Sequence, residues 1–340
     1  MKSRILALIG LLIVAGPAAA MDIKIATIAP EGSGWMKEMR SAAAEISERT
    51  DGRVNIKLYG GGVMGDDKKV LRKIRIGQLH GGVFTPTSLE QIYSDVNVYG
   101  LPLLFESVDE VDYVRERVDA RLKAGLEEAG FVSFGFAGGG FARVLSNTPV
   151  RSVDDLRGKK VWVPEGDTIS YRTMAALELS PVTLPVTDVL TGLQTGLVDI
   201  VASPPVAVLV LQWHTKVEYL TELPLLYTMA FLAIDNRTFA RLQEADRAIV
   251  TEVMSRVYDD FDRVNRVDNE KALEALENAG VTFVEPVEGA LERWREPVMA
   301  VNRGLADDGY ISPDLLDEVL ALLAEYRAGA SGTAEAGSTR

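Results

Sequence analysis

Two hydrophobic periods alternate along the first part of the chain. Apolar positions at 23–29 read as a strand. Trp35, Met36, Met39, Ala43 and Ile46 then recur at helical spacing among charged neighbours, and Gly52 after Thr50-Asp51 supplies a stop. Val54, Ile56 and Leu58 alternate with Asn55, Lys57 and Tyr59, the two-residue period of a half-buried strand. The pattern predicts a second helix at 66–76, closed by Gly77, and a third strand at 82–85. Strand–helix–strand–helix–strand is the signature of a parallel, doubly wound sheet.

The pattern restarts after Gly138-Gly139-Gly140, which read as a turn, as do Gly60-Gly61-Gly62. Strands are expected at 160–163, 180–184 and 198–201, with helices at 168–177 and 188–195. Asp167 stands as the N-cap of the first of these helices. Two such units in succession predict two similar lobes with a cleft between them. Residues 237–278 keep a helical period. One continuous helix there would be about 60 Å long, enough to brace both lobes; the alternative is two helices bent near Asp259-Asp260. Residues 328–340 are small and polar and are expected to form a disordered tail.

Composition narrows the chemistry. The chain has 340 residues, room for two cores. Lys2 and Arg4, an apolar run at 5–14 and small residues at 16–20 have the order of a secretory signal peptide, too short to span a bilayer comfortably. The net charge of −13 leaves no electrostatic footprint for nucleic acid or an anionic membrane. Cysteine is absent and only His80 and His214 could supply imidazole, both read as structural. There is no phosphate-binding glycine loop and no nucleophile elbow around Ser33. Asp66-Asp67 reads as a helix start. With no acid, base and electrophile brought together, a binding function leads, no cofactor is expected, and a secreted enzyme is the weaker reading.

Several blocks in order give the chain a family likeness. They are Ile-Lys-Ile-Ala-Thr at 23–27, Thr-Asp-Gly-Arg-Val-Asn-Ile-Lys-Leu-Tyr at 50–59, Val-Met-Gly-Asp-Asp at 63–67 and Leu-Pro-Leu-Leu-Phe at 101–105. Further on come Arg-Val-Leu-Ser-Asn-Thr-Pro at 143–149, Val-Asp-Asp-Leu-Arg-Gly-Lys-Lys-Val-Trp-Val-Pro at 153–164 and Gly-Leu-Gln-Thr-Gly-Leu-Val-Asp at 192–199. Together they resemble the solute-binding subunit of TRAP (tripartite ATP-independent periplasmic) transporters, the DctP-like family, over about residues 22–325. The resemblance implies an α/β, two-lobed periplasmic solute-binding fold. Each lobe would be a mostly parallel sheet flanked by helices, with a long helix bridging both. By analogy lobe I covers 22–140 and 229–268, and lobe II covers 141–228 and 269–325. The implied partners are a small organic solute and the membrane permease subunits of a secondary transporter. The protein is expected to be a periplasmic monomer, hinged near 138–140 and 226–230. A lipid-like or amine solute, or a sensing role at a membrane receptor, are the alternatives.

The cleft can also be sought at the carboxyl ends of strands, read here as Thr85, Trp162 and Ser203, which coincide with the family's contact positions. Most relatives carry an arginine where this chain has Trp162, and many carry a phenylalanine at Val186. Indole offers one N–H and no charge where a guanidinium would grip a carboxylate with two bonds. Arg143 is therefore a candidate substitute, matching a second family arginine. Glu165, Met229 and Trp35 complete the candidate ligand-binding set; Trp213 is read as packing and Trp294 carries no assigned role. The ligand is expected to be an organic acid more apolar or aromatic than a C4-dicarboxylate, stacking on Trp162. Trp162→Ala is expected to weaken binding with little loss of stability.

Overall fold

The structure, a computed structural model, describes residues 20–337; the segment read as a signal peptide lies outside it except for Ala20. The first unit is β1 (Met21–Ala26), α1 (Gly34–Arg49), β2 (Val54–Tyr59), α2 (Asp67–Arg75) and β3 (Gly81–Phe84). Its strands are parallel, β1 lying between β2 and β3. Local chemistry sets the boundaries. The Ser33 hydroxyl accepts from Met36 N at 3.3 Å to cap α1, and Asp66 accepts from Lys69 N at 2.8 Å to cap α2. Met36, Met39, Ala42 and Ile46 form the buried face of α1.

Next come α3 (Val108–Glu128), β4 (Phe131–Ser133) and β5 (Ala137–Ser146). The second unit is β6 (Trp162–Pro164), α4 (Thr168–Ala176), β7 (Val182–Leu184), α5 (Val189–Thr195), β8 (Ile200–Ser203) and α6 (Pro205–Val210). Asp167 caps α4 as expected, accepting from Ser170 N at 2.9 Å. The remaining elements are β9 (Tyr219–Asp235), α7 (Asn236–Phe239), α8 (Glu244–Asn278), β10 (Thr282–Val284), α9 (Ala290–Asp307) and α10 (Pro313–Gly337).

The two units are stitched by strands that the hydrophobic period did not separate. The 17-residue β9 pairs antiparallel with β3 and β4 through its carboxyl half. Its amino half pairs with β5 and, in parallel, with β10. β5 in turn pairs with β8. The result is a two-lobed α/β fold whose lobes share a sheet. One large core fills the first lobe around Ile23, Met39, Phe231 and Tyr258. The second lobe has two smaller cores, one around Trp162, Trp213 and Leu220 and one around Leu156, Ile200, Leu223 and Trp294.

The glycine triplet is not a turn. It lies within β5, directly under α8 and opposite Met229 and Thr228. A Cβ on Gly138 would stand 2.0 Å from the Tyr227 hydroxyl, one on Gly139 2.5 Å from Thr228 Oγ1, and one on Gly140 2.8 Å from Asn269 Nδ2. Only bare backbone fits there. α8 fastens itself to it: Asp262 accepts from Gly138 N at 2.8 Å, Asn265 donates to Gly138 O at 2.9 Å, and Asn269 donates to Gly139 O at 2.8 Å. The helix runs unbroken for 35 residues, about 52 Å, and packs on both α1 and α6. It starts at Glu244 rather than 237, because the chain between α7 and α8 breaks at 240–243. It does not bend at Asp259-Asp260. The expected tail differs too. The chain continues helical to Gly337 despite Gly329 and Gly332, and 338–340 lie outside the described residues.

Both histidines are structural. His80 Nδ1 accepts from Lys24 N at 3.1 Å, and His214 Nδ1 is 3.4 Å from Val208 O. Burial, with Lys24 beside it, holds the His80 imidazole below its ordinary value. The unfolded chain therefore binds this proton at a higher pH than the native one. Stability should fall as pH drops below about 6.5 and level off once the folded imidazole has also titrated. His80→Asn keeps an acceptor without the titration, so urea midpoints measured against pH should flatten in that window. An unchanged slope would show that other groups carry it.

Candidate functional site

The carboxyl ends of β3 and β8 and the start of α4 converge on one cavity of about 380 Å³. It runs from Ile28 and Trp35, beside β1, past Thr85, Trp162 and Ser203, to Trp294 and Val298 on α9. Six of the eight sequence candidates line it: Trp162, Thr85, Ser203, Val186, Trp35 and Met229. All four tryptophans of the chain are in its wall.

Trp162 opens β6 rather than ending it; Pro164 is the strand's last residue. The indole is 6% exposed. Its N–H donates to Leu184 O at 3.0 Å, and its ring meets Trp213 edge-on with centroids 5.3 Å apart. The ring is a wall of the cavity, but its one donor is already committed. Trp162 also belongs to the core beneath it. The expectation that truncation would spare stability therefore does not fit its surroundings.

Arg143 does not reach the wall. Ala142 and Val144 line the cavity. Its partner across β5–β8 is Ser203, so the two share a face of the sheet with Leu145. There burial pulls its guanidinium below the ordinary value and Glu222 acts in the opposite sense. Glu165 is also outside the wall. It pairs with Lys68 at 2.7 Å, the two carboxylate and ammonium groups 44% and 59% exposed. Trp35 does both things at once, lining the cavity while stacking on Phe261 of α8 at 5.3 Å.

The polar groups in the wall carry no positive charge. Among the described residues no lysine, arginine or histidine lines the cavity. Thr85 Oγ1 lies 3.1 Å from both Thr87 Oγ1 and Ser88 Oγ, and Ser88 donates on to Asp67. Burial pushes the Asp67 carboxyl up. Asp167 is the carboxyl in the wall itself. Each of its oxygens accepts one hydrogen bond from Ser170, from N at 2.9 Å and from Oγ at 2.6 Å, and burial pushes it up as well. Asn97 and Asn265 add amides. Thr87, Asp167, Asn97 and Asn265, with Met174 on α4, Leu177 just past its end, and Trp294 and Val298 on α9, were not in the sequence-based set. The four-residue spacing of Trp294 and Val298 marks a shared buried helix face, not a cavity wall.

The lobes meet across the cavity mouth. Besides Lys68 and Glu165, Glu90 beyond β3 accepts from Thr168 N at 3.2 Å and Thr168 Oγ1 at 3.0 Å at the start of α4. The Tyr310 hydroxyl holds the same carboxylate at 2.5 Å.

Comparison with known proteins agrees with this architecture. The family model described as bacterial extracellular solute-binding protein, family 7, DctP, matches residues 25–307. The C4-dicarboxylate-binding periplasmic protein DctP of Rhodobacter capsulatus is 27% identical over 292 residues, 83% of this chain and 84% of the relative. The sialic acid-binding periplasmic protein SiaP of Vibrio cholerae is 20% identical over 317 residues, 89% of this chain and 94% of the relative. Among solved structures, the sugar acid binding protein DctPAm of Advenella mimigardefordensis in complex with galactonate superposes with a TM-score of 0.83 at 20% identity, covering 90% of this chain and 99% of that one. A TRAP periplasmic solute-binding protein of Desulfovibrio salexigens with bound orotic acid gives 0.81 at 19% identity, covering 89% and 99%. Among the described residues no helix is long and apolar enough to cross a membrane. With its matched blocks, shared-sheet lobes and enclosed cavity, the chain belongs to the DctP family, family 7 of the bacterial extracellular solute-binding proteins.

Proposed function

We propose that this protein is the periplasmic capture subunit of a TRAP-type transporter. It encloses an organic solute more apolar than a C4-dicarboxylate between its lobes and hands it to a membrane permease. The observation that carries the reading is the cavity itself: a space where strand ends converge, walled by four indoles and, among the described residues, lined by no cationic side chain. The capture role rests on family membership, and the departure from dicarboxylates rests on the wall. Permease delivery follows from the TRAP resemblance.

Solute bridging the lobes would favour the closed form by its differential affinity for it. The shared β5–β9 pair, with its irregularities at Gly138/Gly140 and Ala142/Val144, is the natural place for bending. Mass spectrometry of the protein denatured after purification, followed by a thermal-shift panel, tests the reading. Release of an apolar solute and stabilisation by compounds of that kind are expected. Stabilisation by succinate or malate alone would overturn the solute class.

Closure makes a second expectation. Glu90→Ala removes the acceptor that ties α4 to the first lobe, and should lower the closed population about tenfold. Lys68→Ala removes an exposed pair and should change it only a few-fold, less so in high salt. Small-angle scattering with and without solute reads both, and equal effects would deny Glu90 its distinct role.

A further inference from the structure

We infer that the solute is an organic acid with a long apolar tail, and that the tail is housed in an inner chamber of the second lobe. This deepens the proposed capture role and rests on it. The first argument is depth. One face of α4 lines the cavity through its whole length, at Ile169, Ser170, Thr173, Met174 and, just past its end, Leu177. These positions span about 12 Å at the rise of a helix. The amino end of α4 meets the first lobe, where Thr168 donates to Glu90. Its carboxyl end is inside the second, since Leu177 belongs to the third core. β8 runs along the same space, lining it from Ser203 at its carboxyl end back to Ile200. The cavity therefore begins between the lobes and continues into one of them, well past the reach of a four-carbon diacid.

The second argument is the lining of the inner part, which is made by Leu156, Met174, Leu177, Ile200, Trp294 and Val298. Apart from Met174, which packs against it, these are buried members of the third core. The Trp294 N–H is the one strong hydrogen-bonding group among their side chains, so water gains little there. A domain interior is normally close-packed, and a space left in a core costs stability. Methylenes or a ring lying in the chamber would restore the missing contacts. The third argument is the other end. Arg143 stands opposite Ser203 across β5–β8, and among the described residues no ion pair or hydrogen bond holds its guanidinium. A positive charge is at hand beside Ser203 and none lines the inner chamber. That order suits a molecule with an acid at one end and an apolar tail at the other.

Four indoles in the wall make intrinsic fluorescence a direct reporter. The probes are the straight-chain acids from butanoate to dodecanoate, methyl octanoate, succinate and galactonate, titrated into the full mature chain at neutral pH. Affinity should rise about threefold for each methylene added between butanoate and octanoate, as burial of a methylene requires. It should level off once the tail outgrows the chamber. Octanoate should bind more tightly than its methyl ester. Met174→Trp and Val298→Phe narrow the chamber from α4 and from α9, so in each the rise should stop at a shorter chain. Urea unfolding checks that the variants are folded, and the unmutated series decides the question if they are not. Affinity independent of chain length, or tighter binding of succinate or galactonate than of octanoate, overturns the inference and leaves the capture role standing. So does an ester that equals its acid, or a rise that continues unchanged in both folded variants, which would place the tail outside the chamber. If no probe changes the fluorescence and no small molecule is released on denaturation, the capture reading itself fails.

Discussion

Trp162→Ala should lower the unfolding free energy by about 3 kcal/mol in a urea titration. The indole is almost wholly buried in the core of the second lobe. Truncating a buried aromatic ring costs roughly 3–5 kcal/mol; one face of this ring already borders a cavity, which argues for the lower end. The mutation would also strand Leu184 O, which accepts the indole N–H at 3.0 Å. Trp162→Phe separates the contributions, since it keeps a ring against Trp213 and loses only the donor, at about 1 kcal/mol. Both variants should bind apolar solutes more weakly. A loss in Trp162→Ala below about 1 kcal/mol would mean that Trp213 and its neighbours collapse into the space.

Gly140→Ala should be nearly as costly, for a different reason. Gly140 has φ +91°, a conformation that holds an alanine at a cost of order 1–3 kcal/mol. Its new Cβ would also press on Asn269 at 2.8 Å. That amide bridges Gly139 O at 2.8 Å and Val206 N at 3.3 Å, joining α8 to β5 and to the start of α6. A total of about 3 kcal/mol is expected, with weaker solute binding because the two lobes are tied together at this point. Asn269→Ala relieves the collision but not the backbone strain. The double variant should therefore recover only part of the loss, by chemical denaturation and by titration with solute.

These two residues also mark how far the sequence could be read. The βαβαβ period of the first unit and the caps at Asp66 and Asp167 are local properties, and the chain declares them locally. The cleft residues Thr85 and Ser203 follow because strand ends in such sheets converge. What escaped the sequence depends on partners far along the chain. Three glycines in a row look like a turn until an overlying helix explains why no side chain fits. Arg143 looked like a ligand cation because the family carries an arginine near the site. In the fold it stands opposite Ser203 across β5–β8 without itself lining the cavity. The inner chamber was hidden because Met174, Leu177, Trp294 and Val298 look like ordinary helix cores. Nothing local distinguishes a residue that packs on a neighbour from one that packs on a space.

The 17 residues of β9 have a consequence for how this molecule comes apart. Its two halves serve different lobes, and α8 lies across both. Neither lobe, excised alone, keeps its full set of strands. Heating should therefore melt the protein in a single cooperative step, and one backbone cut near Leu226 should cost both halves their structure at once.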